Sequence, residues 1–184
     1  MKRPLMTALK TRRLNLVPFT TAHAADVQRY SGFWEVARYT AGIPHPYPPG
    51  GADAFARDVE FDRRNGQGGL VFAIMRMRET SVVGLIDLNL TDDARSAEMG
   101  YALSPQAWGQ GIASEAAKAV IDWGFSSANL DAIYARALVV NRASCRVLQK
   151  AGLRRIGHGY LWMPERNKTG LFEDYRLLRR EWQA

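Results

Sequence analysis

Two periods of apolar residues alternate along the chain and mark out its elements. Leu14, Leu16 and Val17 introduce a first strand that ends near Pro18, and Thr20 or Thr21 can cap a helix running to about Tyr30. A short helical piece over 31–39 leads into Ile43-Pro44-His45-Pro46-Tyr47-Pro48-Pro49-Gly50-Gly51, the densest proline and glycine cluster in the chain. Proline bars helix at and just before itself, so this segment reads as a surface loop. Asp53 can cap the next helix, with Ala54, Phe55, Val59 and Phe61 on its apolar side and a stop at Asn65-Gly66. Strands are expected over 70–75 and 82–90, joined by a turn short enough for a hairpin, and a polar turn at 91–95 leads to a third.

That third strand is central. Ala97, Met99, Tyr101 and Leu103 alternate with Glu98, Gly100 and Ala102, which is a period of two. Past Pro105 the period changes, and Ile112, Ala116, Ala119, Val120 and Trp123 share one side of a helix. Strand 132–140 follows, and the strand–helix–strand order implies a parallel pair. Asn141 begins a second helix carrying Ala143, Val147, Leu148 and Ala151, which Gly152 closes. A strand at 153–160, a loop at 167–170 and a strand at 175–178 complete the pattern. One α/β (α+β) domain over residues 1–184 is expected, with a mixed, mostly antiparallel sheet flanked by helices.

Between the central strand and its helix, Gly109 and Gly111 let the backbone approach a ligand without a Cβ in the way. The helix start adds unpaired amides and a positive dipole end, so the turn suits a phosphate. A glycine-lined turn with no ligand is the other reading.

Charge fits the first reading without choosing it. With 25 basic and 18 acidic residues the net charge is +7, which suits an acidic ligand, a nucleic-acid-rich partner, or simply a solvated basic surface. The arginines are dispersed, so direct nucleic-acid binding is not expected. A single cysteine, Cys145, excludes an internal disulfide and suits a reducing compartment. No apolar run approaches the roughly 20 residues of a membrane span, and Met1-Lys2-Arg3-Pro4 precedes no apolar signal region, so the cytoplasm is the expected location.

The stretch Gln106-Ala107-Trp108-Gly109-Gln110-Gly111 fits Q/R-x-x-G-x-G/A and resembles the GNAT superfamily of N-acetyltransferases. With Gly100-Tyr101-x-Leu103 and the following Ile112-Ala113-Ser114-Glu115-Ala116, it is similar to the Rim-type branch, the ribosomal-protein N-terminal acetyltransferases and their relatives. The opening Thr11-Arg12-Arg13-Leu14 adds to that likeness. So does Asn141-Arg142-Ala143-Ser144 with Leu148-Gln149-Lys150-Ala151-Gly152, which looks like the second family motif. The resemblance implies an acetyl-CoA-dependent enzyme that acetylates an amine directly in a ternary complex, without a metal. The acceptor would be a protein N-terminus or a small molecule, and the enzyme a monomer or homodimer. It further implies that Tyr101, Leu103, Gln106, Trp108, Gly109, Gln110, Gly111, Ile112, Ala113 and Ser114 hold the coenzyme, and that Asn141 and Ser144 face its pantetheine arm and sulfur. The loop bearing His45 and Tyr47 would border the acceptor, these two residues either touching it or serving only to pack the loop.

Acyl transfer to an amine needs a base for the nitrogen proton and a donor for the departing sulfur. Glu98, on the strand face of the small residues Gly100 and Ala102, is the chosen base; a plain surface carboxylate is its rival reading, and Asp87 is the second candidate. Leu148 stands where many GNAT enzymes have an acidic tyrosine; the resemblance to Rim-type relatives, which carry a serine earlier in this helix, implies Ser144 as the donor, or as a group that only orients the sulfur. Asn141 also reads as a helix N-cap, a role compatible with coenzyme contact. A Cys145 nucleophile would need His23, His45 or His158 beside it, which nothing in the sequence provides. A dinucleotide fold fails because Ser114 replaces the third glycine. A non-catalytic acyl-CoA-binding or ribosome-associated module of the same fold remains the alternative.

Overall fold

A computed structural model describes residues 5–182, so the signal-region reading of Met1-Lys2-Arg3-Pro4 lies outside the described residues. One open sheet runs through them in the order β1-β2-β3-β4-β5-β6-β8-β7. Its strands are β1 (Leu9–Lys10), β2 (Leu14–Pro18), β3 (Leu70–Arg76), β4 (Val82–Leu90), β5 (Ser96–Leu103), β6 (Ala132–Leu138), β7 (Arg154–Met163) and β8 (Lys168–Leu178). Every neighbouring pair is antiparallel except β5 and β6, the parallel pair expected across the central helix. This is the mixed, mostly antiparallel α/β arrangement expected from the sequence. Among the described residues, no helix is long and apolar enough to cross a membrane.

Helices α1 (Ala24–Ser31), α2 (Trp34–Ala37) and α3 (Gly51–Arg64) cover one face of β2 to β4 through Val27, Tyr30, Ala52, Ala56, Val71 and Ala73. Helices α4 (Ile112–Ser126) and α5 (Arg142–Lys150) cover the other. There Phe72 meets the Trp123 indole edge-on, with ring centroids 5.3 Å apart, a pairing worth about 1 kcal/mol beyond its burial.

Several elements depart from the sequence pattern. Helix α3 starts behind Gly50, whose φ of 71° forms the cap, so Asp53 lies within the first turn. Its buried side is Ala52, Ala56 and Val59; Phe61 is 63% exposed and Phe55 rests on the Phe19 ring at 5.6 Å. In α5 the buried positions are Cys145 and Leu148, and Ala143 faces solvent.

The C-terminal hairpin differs most. Residues 168–170 belong to β8, which is much longer than 175–178 and lies between β6 and β7. The turn is formed by Pro164–Arg166 and Asn167, the latter at φ 45°. Gly170 is present for packing, since a Cβ there would come within 2.7 Å of Leu138 Cδ2 and 2.8 Å of Met163 Sδ.

Asn141 caps α5 as expected, its side-chain oxygen accepting the Ser144 amide at 3.2 Å. Asn141→Ala should therefore cost about 1 kcal/mol, read as a lower urea midpoint at unchanged slope. An unchanged midpoint would remove the cap from the account.

Candidate active site

Strands β5 and β6 pair over only three positions, Ser96–Glu98 against Ala132–Tyr134. Beyond them the two strands part: β5 continues to Leu103 bound only to β4, and β6 continues to Leu138 bound to β8. The glycine turn lies at the open end of that gap.

Gly109 and Gly111 have φ of 74° and 75°, conformations that L side chains adopt only at a cost. A Cβ at Gly109 would meet nothing within 4 Å, so its backbone is open to a ligand. The first helical bond of α4 runs from the Glu115 amide to the Gly111 carbonyl at 3.1 Å. The amides of Ile112, Ala113 and Ser114 therefore precede the ladder, and no side chain caps this end. Ile112 is itself core, 3% exposed, so only its amide can face a ligand.

The other turn side chains brace the loop. Gln110 donates to the Gln106 carbonyl at 2.7 Å, the Trp108 indole N–H donates to the Leu103 carbonyl at 3.0 Å, and Ser104 donates to the Gln106 side-chain oxygen.

Two arginines that the sequence reading passed over flank the turn. Arg13 donates to the Gln110 carbonyl at 2.9 Å and pairs with Glu115 at 2.7 Å. Arg76 donates to the Gln110 side-chain oxygen at 2.8 Å. Thr11 also donates to Glu115, at 2.6 Å. Burial opposes ionisation of Glu115, but the hydrogen bonds from Thr11 and Arg13 outweigh it and hold the carboxyl below its usual range. The only sequence signal was the Thr11-Arg12-Arg13 opening. Open glycine backbone, free amides and flanking guanidinium groups together fit a diphosphate.

On the opposite face of the parted strands, the register sets Leu85, Asp87 and Asn89 of β4 beside Ala102, Gly100 and Glu98 of β5. Gly100 makes room for Asp87, because a Cβ there would lie 2.9 Å from its Oδ1. Burial raises the Asp87 pKa to about 6; an Asn89 N–H at 2.5 Å works against that rise, and the charge of Glu98 adds to it. The Glu98 side chain is 50% exposed and lies 3.8 Å from Arg136, which also binds Asp174 at 3.0 Å.

Tyr101 projects to the α5 side, where its hydroxyl and that of Ser144 are 2.7 Å apart. Burial raises the Tyr101 pKa to about 12 in spite of that bond. Tyr47 packs against the cluster of α1, α3 and β3 residues on which Leu85 and Ala102 also border, and the His45 ring lies 5.2 Å from that of Trp34. The structure thus places Glu98, Asp87 and Tyr47 toward one face of the sheet and Tyr101, Asn141 and Ser144 toward the other, with the gap between β5 and β6 joining them. Cys145 is buried and its thiol lies 3.8 Å from the Leu138 carbonyl, with no histidine among its partners.

Residues 13–154 match the acetyltransferase (GNAT) domain family. The chain belongs to that family. The uncharacterized N-acetyltransferase p20 of Bacillus licheniformis is 35% identical over 182 residues, spanning 96% of this chain and 99% of the relative. A solved GNAT-family acetyltransferase from Bacillus anthracis shares 25% identity at a TM-score of 0.80, over 95% of this chain and 99% of that one. RimL, a ribosomal L7/L12 alpha-N-protein acetyltransferase in complex with coenzyme A, has a TM-score of 0.81 over 94% of this chain and 98% of its own. At 14% identity that likeness is one of fold.

Proposed function

We propose that the protein transfers an acetyl group from acetyl-CoA directly to a primary amine, on a protein N-terminus or a small molecule. The observation that carries this reading is the gap between β5 and β6, with an anion-compatible turn at its mouth and, on its far face, the Asp87 carboxyl, whose pKa burial raises to about 6. The p20 relative is named an N-acetyltransferase and the RimL neighbour holds coenzyme A, which supports both the reaction class and the coenzyme. The amides of residues 109–114 would hold the pyrophosphate, with Arg13 and Arg76 supplying positive charge. Acetyl-CoA, when bound, supplies the acyl group on its thioester.

Asp87 is the preferred base. A carboxyl with a pKa of about 6 is ionised at pH 7 yet remains basic enough to take the proton lost by an attacking amine. Glu98, solvated and facing Arg136, tunes Asp87 in this account and keeps the carboxylate ionised form of its neighbour costly. Ser144, aligned by Tyr101, would donate to the departing sulfur. Ser144→Ala should lower kcat about tenfold with little change in acetyl-CoA affinity, the modest loss expected when water can replace a weak acid. An unchanged kcat would leave Ser144 with the α5 terminus alone.

The reading is tested by thiol release from acetyl-CoA over a panel of free N-terminal peptides, polyamines and amino acids. Release that depends on one class of amine supports it. Tight acetyl-CoA binding with no release for any amine would make the protein a non-catalytic acyl-CoA-binding module.

A further inference from the structure

The loop between α2 and α3, which carries His45 and Tyr47, is tied down from two distant places. At its far end Gln28 of α1 donates to the Pro48 carbonyl at 2.9 Å and accepts the Ala52 amide at 3.1 Å. At its near end the tie comes from the other end of the chain, through Arg166 at the tip of the β7–β8 hairpin. The Arg166 Nε and Nη2 groups donate to the Ala37 carbonyl at 3.1 and 2.7 Å, and Nη2 also donates to the Ile43 carbonyl. The same guanidinium lies 5.5 Å from the centre of the Trp34 ring, against which His45 packs.

Tyr39, inside the tethered segment, rests on Leu138, Met163 and Phe172. Leu138 ends β6 in the stretch that has already parted from β5, so the loop is seated over the gap. Tyr47 packs against the core cluster of α1, α3 and β3, on the same side of the sheet as Leu85 and Ala102. Arg166 directs its Nε and Nη2 donors at neutral carbonyls in a partly buried place, where desolvation lowers its pKa from the usual arginine value without removing the charge. A planar fork reaching two carbonyls and stacking on an indole is geometry that a lysine cannot copy.

We propose that Arg166 is a positioning residue for the acceptor amine, holding the 38–47 segment, with His45, over the face that carries Asp87. This rests on the acyl-transfer reading, in which that face receives the amine. The loop conformation costs chain entropy, and a fixed reactant geometry is what acceptor binding and reaction need. Arg166 touches neither the glycine turn nor its braces in this structure, so the coenzyme site should not depend on it.

The test compares Arg166→Ala and Arg166→Lys in the full chain. In the alanine variant, amide hydrogen exchange over 38–47 should speed roughly tenfold or more while α4 keeps its protection. Acetyl-CoA affinity by calorimetry should stay within about twofold, and KM for the fastest amine of the panel should rise roughly tenfold with kcat nearly kept. Added guanidinium ion at low, non-denaturing concentration should restore part of both losses, an outcome that mere fold destabilisation would not give. The lysine variant, which keeps the charge, should fall between parent and alanine, and it carries the test if the alanine protein does not fold.

Unchanged exchange over 38–47, or exchange raised uniformly across the sheet, would overturn the proposal, as would an unchanged acceptor KM. A parent protein that releases no thiol with any amine would overturn the acyl-transfer reading and, with it, the acceptor role. Exchange would then still decide whether Arg166 holds the loop.

Discussion

Replacing Gly109 with glutamate should weaken acetyl-CoA binding at least about 100-fold while leaving the protein folded. Two costs add at this position. The residue sits at φ 74°, where a side chain costs roughly 1–2 kcal/mol, and its carboxylate would stand where the turn accepts an anion. A 100-fold loss corresponds to about 2.7 kcal/mol, within reach of strain plus like-charge repulsion at a partly desolvated diphosphate. A Cβ there meets nothing within 4 Å, so the substitution adds no clash to the φ strain and the protein should still fold. Gly109→Ala separates the terms, since it carries the strain alone and should lose roughly tenfold or less. A folded Gly109→Glu protein that binds acetyl-CoA with parental affinity would show that the pyrophosphate does not lie at this turn.

Asp87→Asn should lower kcat by about 10²–10⁴-fold, the range for loss of a positioned general base. In the parent, kcat/KM should fall with acidity below a pKa of about 6, as Asp87 takes up its proton, and the asparagine variant should lack that limb. Glu98→Gln gives a second handle. Removing its negative charge favours ionised Asp87, so the limb should move to lower pH with only a small loss of rate.

Stability should respond in the opposite direction to activity. Folding raises the Asp87 pKa, so the folded state holds this proton more tightly than the unfolded chain. Its contribution is fully present below about pH 4 and is lost as pH rises through about 6. Asp87→Asn should therefore stabilise the protein at pH 7, on the order of 1–2 kcal/mol, while nearly silencing it. A variant with lower stability and full activity would contradict both parts.

The two carboxylates also show how far the sequence could be read. Alternation placed Glu98 on the strand face of Gly100 and Ala102, and Asp87 on the neighbouring strand. What separates them is tertiary: Gly100 admits Asp87 against the β5 backbone, whereas Glu98 turns toward Arg136. The elements from β2 to α5 were legible because their periods are regular and because Gly109, Gly111 and Asn141 do what those residue types do at helix starts. Gly170 misled because a glycine serving close packing looks like a glycine serving a loop. Arg166 was silent and Arg13 showed only within the Thr11-Arg12-Arg13 opening, since a guanidinium that reaches across 129 or 97 residues leaves no local pattern of its contact.

Calorimetric titration of the purified protein with acetyl-CoA, coenzyme A and NADH decides whether this chain uses acetyl-CoA. Saturable binding of acetyl-CoA at micromolar concentration is expected, with competition by coenzyme A and none by NADH. No binding at millimolar acetyl-CoA would contradict that expectation and reduce the glycine turn to a structural feature.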